Sequence, residues 1–495
     1  MASKSLGRLA RYAAPTLALL LNGASAHTWA ATTSQAVLDG IASEGFMPVI
    51  VELELTVKPE MGMSRSQVVS QRQSIAAAQQ KVRDVVVSVG SSPDKAFATI
   101  PAMALRADAA TLRALQNSPD VKNIYEDTLS RVSLNESNPV IGANQMWNGD
   151  PSITGSGYAV AVLDTGVDKN HTFFNDSNGA AVVAEYCAST QYAPYSIFSL
   201  CPGGAQTSSA SGSGLHCEGV DGCDHGTHVA GIVAGRPTAL NVGTVRGVAP
   251  KASLIAAQVF TRFNSAEFCG EEPAPCLSSY SSDQILALEH VLSLDVSQGG
   301  SLKVASVNMS LGGGQNYEAC NSSNTAFQNI LTSLSNANIA VVIASGNDGY
   351  GDSISSPACF SSAISVASTT KSDRISWFSN IAGGTLIDLA APGSDIASAV
   401  PSGAWGVKSG TSMAAPHVAG AWALMREAHE LANLSPTVDT LLGALSRTST
   451  SVTLRENGFN TGFGVKRINV AQAAPELEGE VAPGLPTWLL YEAAK

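Results

Sequence analysis

The chain is short of positive charge. Its 495 residues hold 28 Lys and Arg against 40 Asp and Glu, a net charge of −12 at neutral pH. Nucleic acids and anionic membrane surfaces are bound by clustered Lys and Arg, so this balance argues against either partner. Charge is scarce altogether: 14% of residues carry one, while glycine alone contributes 45. That composition suits a compact, loop-rich α/β protein with enough length to bury a large core. No apolar run reaches the ~20 residues that a spanning helix needs, so no membrane anchor is expected. No internal repeat is present. Cysteine is missing from the first third of the chain, then occurs eight times from Cys187 to Cys359.

The N-terminus has a recognisable order. Lys4, Arg8 and Arg11 precede an apolar stretch over 12–21, which is followed by Ala24-Ser25-Ala26. A basic start, a short apolar segment and an A-x-A site describe an export signal over 1–26, removed on passage to the periplasm or the medium. An even number of cysteines in an exported chain implies disulfides. Cys269 with Cys276, bracketing a short Glu/Pro loop, is the first expected pair, and Cys320 with Cys359 the second.

Two folded regions follow. After a polar lead over 27–46, the pattern runs strand (49–55), helix (66–83), strand (96–105), helix (108–116) and strand (121–125), a small α+β unit of ferredoxin-like type. It ends near Asp127, before loop-like Asn135 to Pro139. The second region, 132–474, has apolar strands at 158–163, 254–260, 304–310, 339–344 and 363–367. Helices at 228–234, 283–294 and 324–334, and one from near Ser412, alternate with them. Continuous apolar strands between helices predict a mostly parallel sheet covered on both faces, with ligands at the strands' carboxyl ends. Gly203 to Gly214 reads as a mobile Gly/Ser loop, and 475–495 as an acidic, Pro-rich tail that is peripheral.

Polar residues gather at those carboxyl ends. Asp164 closes the strand Ala159-Val160-Ala161-Val162-Leu163. His225 and His228 lie in Asp224-His225-Gly226-Thr227-His228. Asn347 follows a strand in Ala344-Ser345-Gly346-Asn347-Asp348-Gly349, and Ser412 begins a helical run in Gly410-Thr411-Ser412-Met413. Singly, each has an ordinary reading as a turn Asp, a capping His, a turn Asn or an N-cap Ser. Together they supply a carboxylate to hold an imidazole, a base, an amide donor for a developing oxyanion and a hydroxyl nucleophile. Ser310-Leu311-Gly312 offers backbone groups with which an extended peptide can pair. Cys217, Cys223, His225 and His228 also form a Cys₂His₂ set by residue type. Its intervals are irregular for small zinc modules, however, and export favours disulfides.

The order Asp164…His225…Ser412 differs from that of chymotrypsin and of α/β-hydrolases. Ser412 also lacks a G-x-S-x-G elbow, since Ala414 stands where the second Gly belongs. The stretches AVLDTGVD, HGTHVAGIVAG, VNMSLGG, VIASGNDG and SGTSMAAPHVAG, in this order, resemble the subtilisin-like serine protease family. The resemblance implies that Asp164 orients the imidazole, His225 acts as base and then acid, Ser412 attacks, and His228 is structural. It assigns the oxyanion to the Asn347 side chain and the Ser412 backbone N–H. Ser310, Leu311, Gly312, Ala344, Ser345 and Gly346 would line the peptide cleft. The stretch LRALQNSPDVKNIYED is similar to the family's propeptides, implying an inhibitory propeptide over 27–131 that is cut off between about Asp127 and Pro139. Expected partners are protein or peptide substrates and the chain's own propeptide, and a monomer is expected. No cofactor is needed for this chemistry. The family's frequent calcium-ligating Asp is replaced by Phe173, nine positions after Asp164, and Asn241 alone does not restore that site.

Overall fold

A computed structural model describes residues 31–58, 63–126, 134–177, 179–240, 243–270, 272–456, 458–477 and 480–481. The export signal, Asn241, most of the tail and residues 127–133 around the expected propeptide boundary lie outside them. The chain divides into two units, 1–130 and 131–495.

The first unit is a five-stranded mixed sheet with helices Gln35–Glu44, Arg65–Ser88 and Ala109–Gln116. Its long helix begins at a capping box, in which the Ser64 hydroxyl accepts from Gln67 N–H and the Gln67 side chain accepts from Ser64 N–H. Two readings need correction. The polar lead 27–46 holds a helix, because Val37 and Ile41, one turn apart, are buried. The single strand over 96–105 is two, Pro93–Ala96 and Ala102–Asp108, paired antiparallel on either side of a bend that contains Pro101.

The second unit is built on a ten-stranded sheet that is antiparallel only at its two edges. In the middle lie the strands Ser253–Gln258, Ala159–Asp164, Val304–Met309, Ala340–Ala344 and Ile364–Thr369, all parallel. Successive side chains of a strand point to opposite faces, and here both faces are covered. Val160 and Val162 enter one core with the helices His225–Ala234 and Thr411–Leu431, whereas Ala159, Ala161 and Leu163 enter the other with Ser281–Leu294 and Thr325–Asn336. The helix Thr411–Leu431 is buried almost all round, and Trp422 is fully enclosed.

All eight cysteines are paired, as Cys187–Cys201, Cys217–Cys223, Cys269–Cys276 and Cys320–Cys359. The two expected pairs are among them. The Gly/Ser stretch is not wholly a loop: Thr207–Ser208 joins the edge of the large sheet beside Ala188 and Cys187. Gly214 lies so close to the Ala256 carbonyl that a Cβ would come within 2.3 Å of it. The loop read at Asn135 to Pro139 is part of a helix, Leu134–Val140, with Ser137 and Asn138 buried. Tertiary bonds override the local Asn/Pro signal there, including Asn138 Nδ2 to the Arg246 carbonyl at 2.9 Å. The start of the tail forms a short hairpin, Glu476–Leu477 with Glu480–Val481.

Candidate active site

Three adjacent parallel strands deliver the polar groups to one edge. Asp164 ends Ala159–Asp164, Ser310 follows Val304–Met309, and Asn347 lies three residues beyond Ala340–Ala344. Two helices start at the same edge. His225 is the first residue of one and Ser412 the second residue of the other. A carboxyl edge facing helix N-termini is where parallel sheets bind ligands and stabilise anions.

Asp164 is fully buried. Its Oδ1 takes Nδ1 of His225 at 2.8 Å and the Thr165 N–H at 2.7 Å, while Oδ2 has no hydrogen-bond partner among the described residues. Because a carboxylate only accepts, Nδ1 carries the proton and Nε2 of a neutral His225 presents its lone pair. Burial pushes the imidazole pKa down. The charge and hydrogen bond of Asp164, aided by Asp224, outweigh burial and the nearby Lys408, so the net direction is upward. Gly226 makes the approach possible, since a Cβ there would lie 2.3 Å from the Gly166 carbonyl and 3.1 Å from Asp164 Oδ1.

Thr165 locks the pair from behind. Its hydroxyl accepts from Gly226 N–H at 3.0 Å, and its carbonyl accepts from Cys217 N–H at 3.0 Å. The Cys217–Cys223 bridge ties that second contact to the residue two before His225. These cysteines therefore bond each other rather than zinc. His228 is fully buried, with Nε2 on the Ile396 and Gly406 carbonyls at 3.0 and 3.2 Å, and burial depresses its pKa to about 3. The zinc alternative fails on both residue types. No cluster suited to a metal ion occurs among the described residues.

Ser412 is held by Ser310. Pro416 has no N–H, which leaves the carbonyl of Ser412, four residues back, without its helical donor. Ser310 Oγ fills that role at 2.8 Å, and buried Asn308 Nδ2 in turn donates to Ser310 Oγ at 2.9 Å. Ser412 Oγ donates to the Ser310 carbonyl at 3.3 Å. Among the described residues no hydrogen bond joins Ser412 to His225. Catalytic hydrogen bonds of this kind are commonly long before substrate arrives.

Asn347 is exposed, and its orientation is set by Thr411. Its Oδ1 accepts from the Thr411 N–H at 2.8 Å and from the Thr411 hydroxyl at 2.9 Å, so the amide nitrogen is left as a free donor. A hollow of about 410 Å³ opens beside Ser412, lined by Ser310, Leu311, Gly312, Ala344, Gly346 and Asn347 among others. Ser345, expected with them, is buried with its hydroxyl on the Asn380 carbonyl at 2.9 Å. Asp348 and Glu272 also line this hollow. Sequence reasoning missed Thr165, Asn308 and Asn380, because buried Thr and Asn have no local pattern that separates them from turn residues. Where calcium was in question, Phe173 is fully buried against Trp405, their ring centroids 4.8 Å apart, and it offers no oxygen ligand.

Comparison with known proteins shows the family. The model of the Subtilase family matches residues 155–465. Subtilisin NAT of Bacillus subtilis subsp. natto is 31% identical over 404 residues, covering 80% of this chain and 86% of its own. Alkaline protease 1 of Emericella nidulans is 31% identical over 325 residues, 63% of this chain and 65% of its own. Subtilisin-like protease 3 of Arthroderma otae is 29% identical over 329 residues, 64% and 67%. With these polar residues gathered on one sheet edge and a match across most of its length, the chain belongs to the subtilase family and is a subtilisin-like serine peptidase.

Proposed function

We propose that the protein is an exported endopeptidase, made as a zymogen that processes itself, in which Ser412 forms the acyl-enzyme. Nε2 of His225 takes the Ser412 proton as Oγ attacks the scissile carbonyl. Asp164 holds the tautomer and stabilises the imidazolium. The oxyanion is met by the Asn347 amide and the Ser412 N–H at the helix start. The imidazolium then protonates the leaving amine, and water enters by the same base to release the acyl group. Substrate backbone pairs along Ser310-Leu311-Gly312, which places the residue before the cut in the hollow beside Ser412. No step needs a cofactor, and the enzyme works as a monomer.

The observation that carries this reading is the Asp164–His225 bond at 2.8 Å on the same sheet edge as a helix-start serine. Four disulfides support an oxidising destination. Residues 27–131 act as the inhibitory propeptide. The cut falls before Leu134, since the helix Leu134–Val140 is docked through buried Ser137 and Asn138. The test is Ser412→Ala, expressed as the full chain. It should be exported yet keep residues 27–131 covalently attached, with no peptide hydrolysis. Normal trimming of the purified variant would show that another enzyme cuts, and residual hydrolysis near the native rate would reject Ser412.

A further inference from the structure

Next to the cleft stands a small platform outside the large sheet. Strands Ile197–Ser199, Thr261–Phe263 and Cys276–Ser278 form an antiparallel three-stranded sheet. Two disulfides, Cys187–Cys201 and Cys269–Cys276, fasten it. The platform carries an unusual surface. Tyr192, Tyr195 and Phe268 are 53%, 53% and 42% exposed, in a chain of which only 6% is aromatic.

These rings are not scattered. Tyr192 stacks on Tyr195 with centroids 4.9 Å apart, and Tyr195 meets Phe268 edge-on at 6.3 Å. Phe268 rests on Phe263, which is buried and supports the strip from below. Contiguous exposed apolar surface on a stapled scaffold marks a place where something binds. The Tyr195–Phe268 step of 6.3 Å is close to the ~6.6 Å between alternate side chains of an extended chain, which lie on one face, and the stacked Tyr192 prolongs the strip by a shorter step.

The strip leads into the cleft. Phe268 also lines a hollow of about 730 Å³ whose floor includes Leu311, Gly312 and Gly313. Those three residues line the hollow beside Ser412 as well. One surface therefore runs from Ser412 along Leu311 to Gly313, past Phe268, to Tyr195 and Tyr192. Among the described residues, Glu272 is the single charged one lining the larger hollow, so acidic side chains are disfavoured along this route.

We infer that the aromatic strip is an exosite for the acyl-side extension of a polypeptide substrate, several residues before the scissile bond, and that it takes aromatic or large aliphatic side chains at alternate positions. The inference rests on the proteolytic reading above. Its occupant is extended polypeptide because the strip is continuous with the edge along which substrate backbone pairs.

The experiment compares a chromogenic tripeptide with quenched-fluorescence peptides extended to about nine residues before the cut, carrying either Phe or Ser at alternate upstream positions. The native enzyme, processed from the full chain, should cleave the long Phe peptide with a higher kcat/KM than the long Ser peptide. The double variant Tyr192→Ser, Tyr195→Ser should lose about two- to tenfold per ring on the Phe peptide, the usual scale of ring contacts, and keep its tripeptide rate. That unchanged rate also reports that the variant is folded. Equal losses on short and long peptides would mean that the rings only support the cleft. An undiminished preference for the Phe peptide would overturn the exosite. So would retention on insoluble chitin or cellulose that the variant loses, without any peptide-length effect. Failure of the native enzyme on the tripeptide would instead count against the proteolytic reading.

Discussion

Asp164 Oδ1 lies 2.8 Å from His225 Nδ1, and the same carboxylate's Oδ2 is buried without a donor. Among the described residues, the Asp164 carboxylate is thus hydrogen-bonded by the imidazole and the Thr165 amide alone. Asp164→Asn keeps the shape and removes that charge, and it allows the wrong tautomer. A fall in kcat on the order of 10⁴-fold is expected. The same bond holds the His225 pKa above its ordinary value. A base must be unprotonated, so the acidic limb of the kcat/KM profile should lie above pH 6.5 in the native enzyme and move down in Asp164→Asn. A pH–rate series on both proteins checks the direction, and an unmoved limb would detach the rate from this pair.

Asn347 and Thr411 make a paired prediction. Asn347→Ala removes the free amide donor and should cost about 100- to 1,000-fold in kcat, a magnitude that itself comes from a subtilisin. Thr411→Val leaves the amide in place and removes the hydroxyl contact on its oxygen at 2.9 Å. A smaller loss, confined to kcat with KM held, is expected because the donor is loosened rather than lost. Steady-state kinetics on both variants separates the two effects.

Much of this edge was readable from sequence because continuous apolar strands end where the polar residues begin. Val160-Ala161-Val162-Leu163, short, β-branched and bounded by turn residues, reads as a strand buried on both faces, and Asp164 then emerges at its end. What stayed hidden depends on distant partners. Helix 134–140 looks like a loop by its Asn and Pro, yet Asn138 bonds the Arg246 carbonyl, 108 positions away. Thr207–Ser208 reads as linker, and only the free edge beside Cys187 makes it a strand. The role of Ser310 in completing the carbonyl freed by Pro416 joins residues 102 apart, which no local pattern encodes.

Phe173 has taken a core position where an oxygen ligand was in question. A Cβ on Gly235 would come within 2.0 Å of its ring, so the fit is tight. Phe173→Ala should destabilise the protein by about 3–5 kcal/mol. Phe173→Asp should do so at least as strongly, without recovering stability when calcium is added. Thermal unfolding in the Ser412→Ala background, with and without calcium, measures this free of self-digestion.

His417 gives an acid-sensitive link within the catalytic unit. It is fully buried, with Nδ1 donating to the Met413 carbonyl and Nε2 accepting from Ser137 Oγ, both at 2.8 Å. Burial lowers its pKa to about 4. The unfolded chain, with a histidine pKa near 6.5, binds the proton first. The stabilisation is therefore complete above pH 6.5 and is lost as the pH falls toward 4, by up to about 1.4 kcal/mol per pH unit. Burial raises the pKa of Asp283, Asp388 and Glu427, so these groups act with the opposite sign. The readout is accordingly a difference: His417→Gln should show a shallower decline of Tm between pH 6.5 and 4 than its parent. Parallel declines would remove His417 from the account.

The central claim is that Ser412 is the nucleophile activated by His225, and covalent labelling tests it most directly. Processed enzyme is treated with a fluorophosphonate, with and without a chelator, digested, and mapped by mass spectrometry. The account predicts one adduct, on Ser412, that survives chelation and is lost in His225→Ala whose propeptide has been removed by a second protease. Folded, processed enzyme that stays unlabelled, or that carries the adduct on another serine, would contradict it.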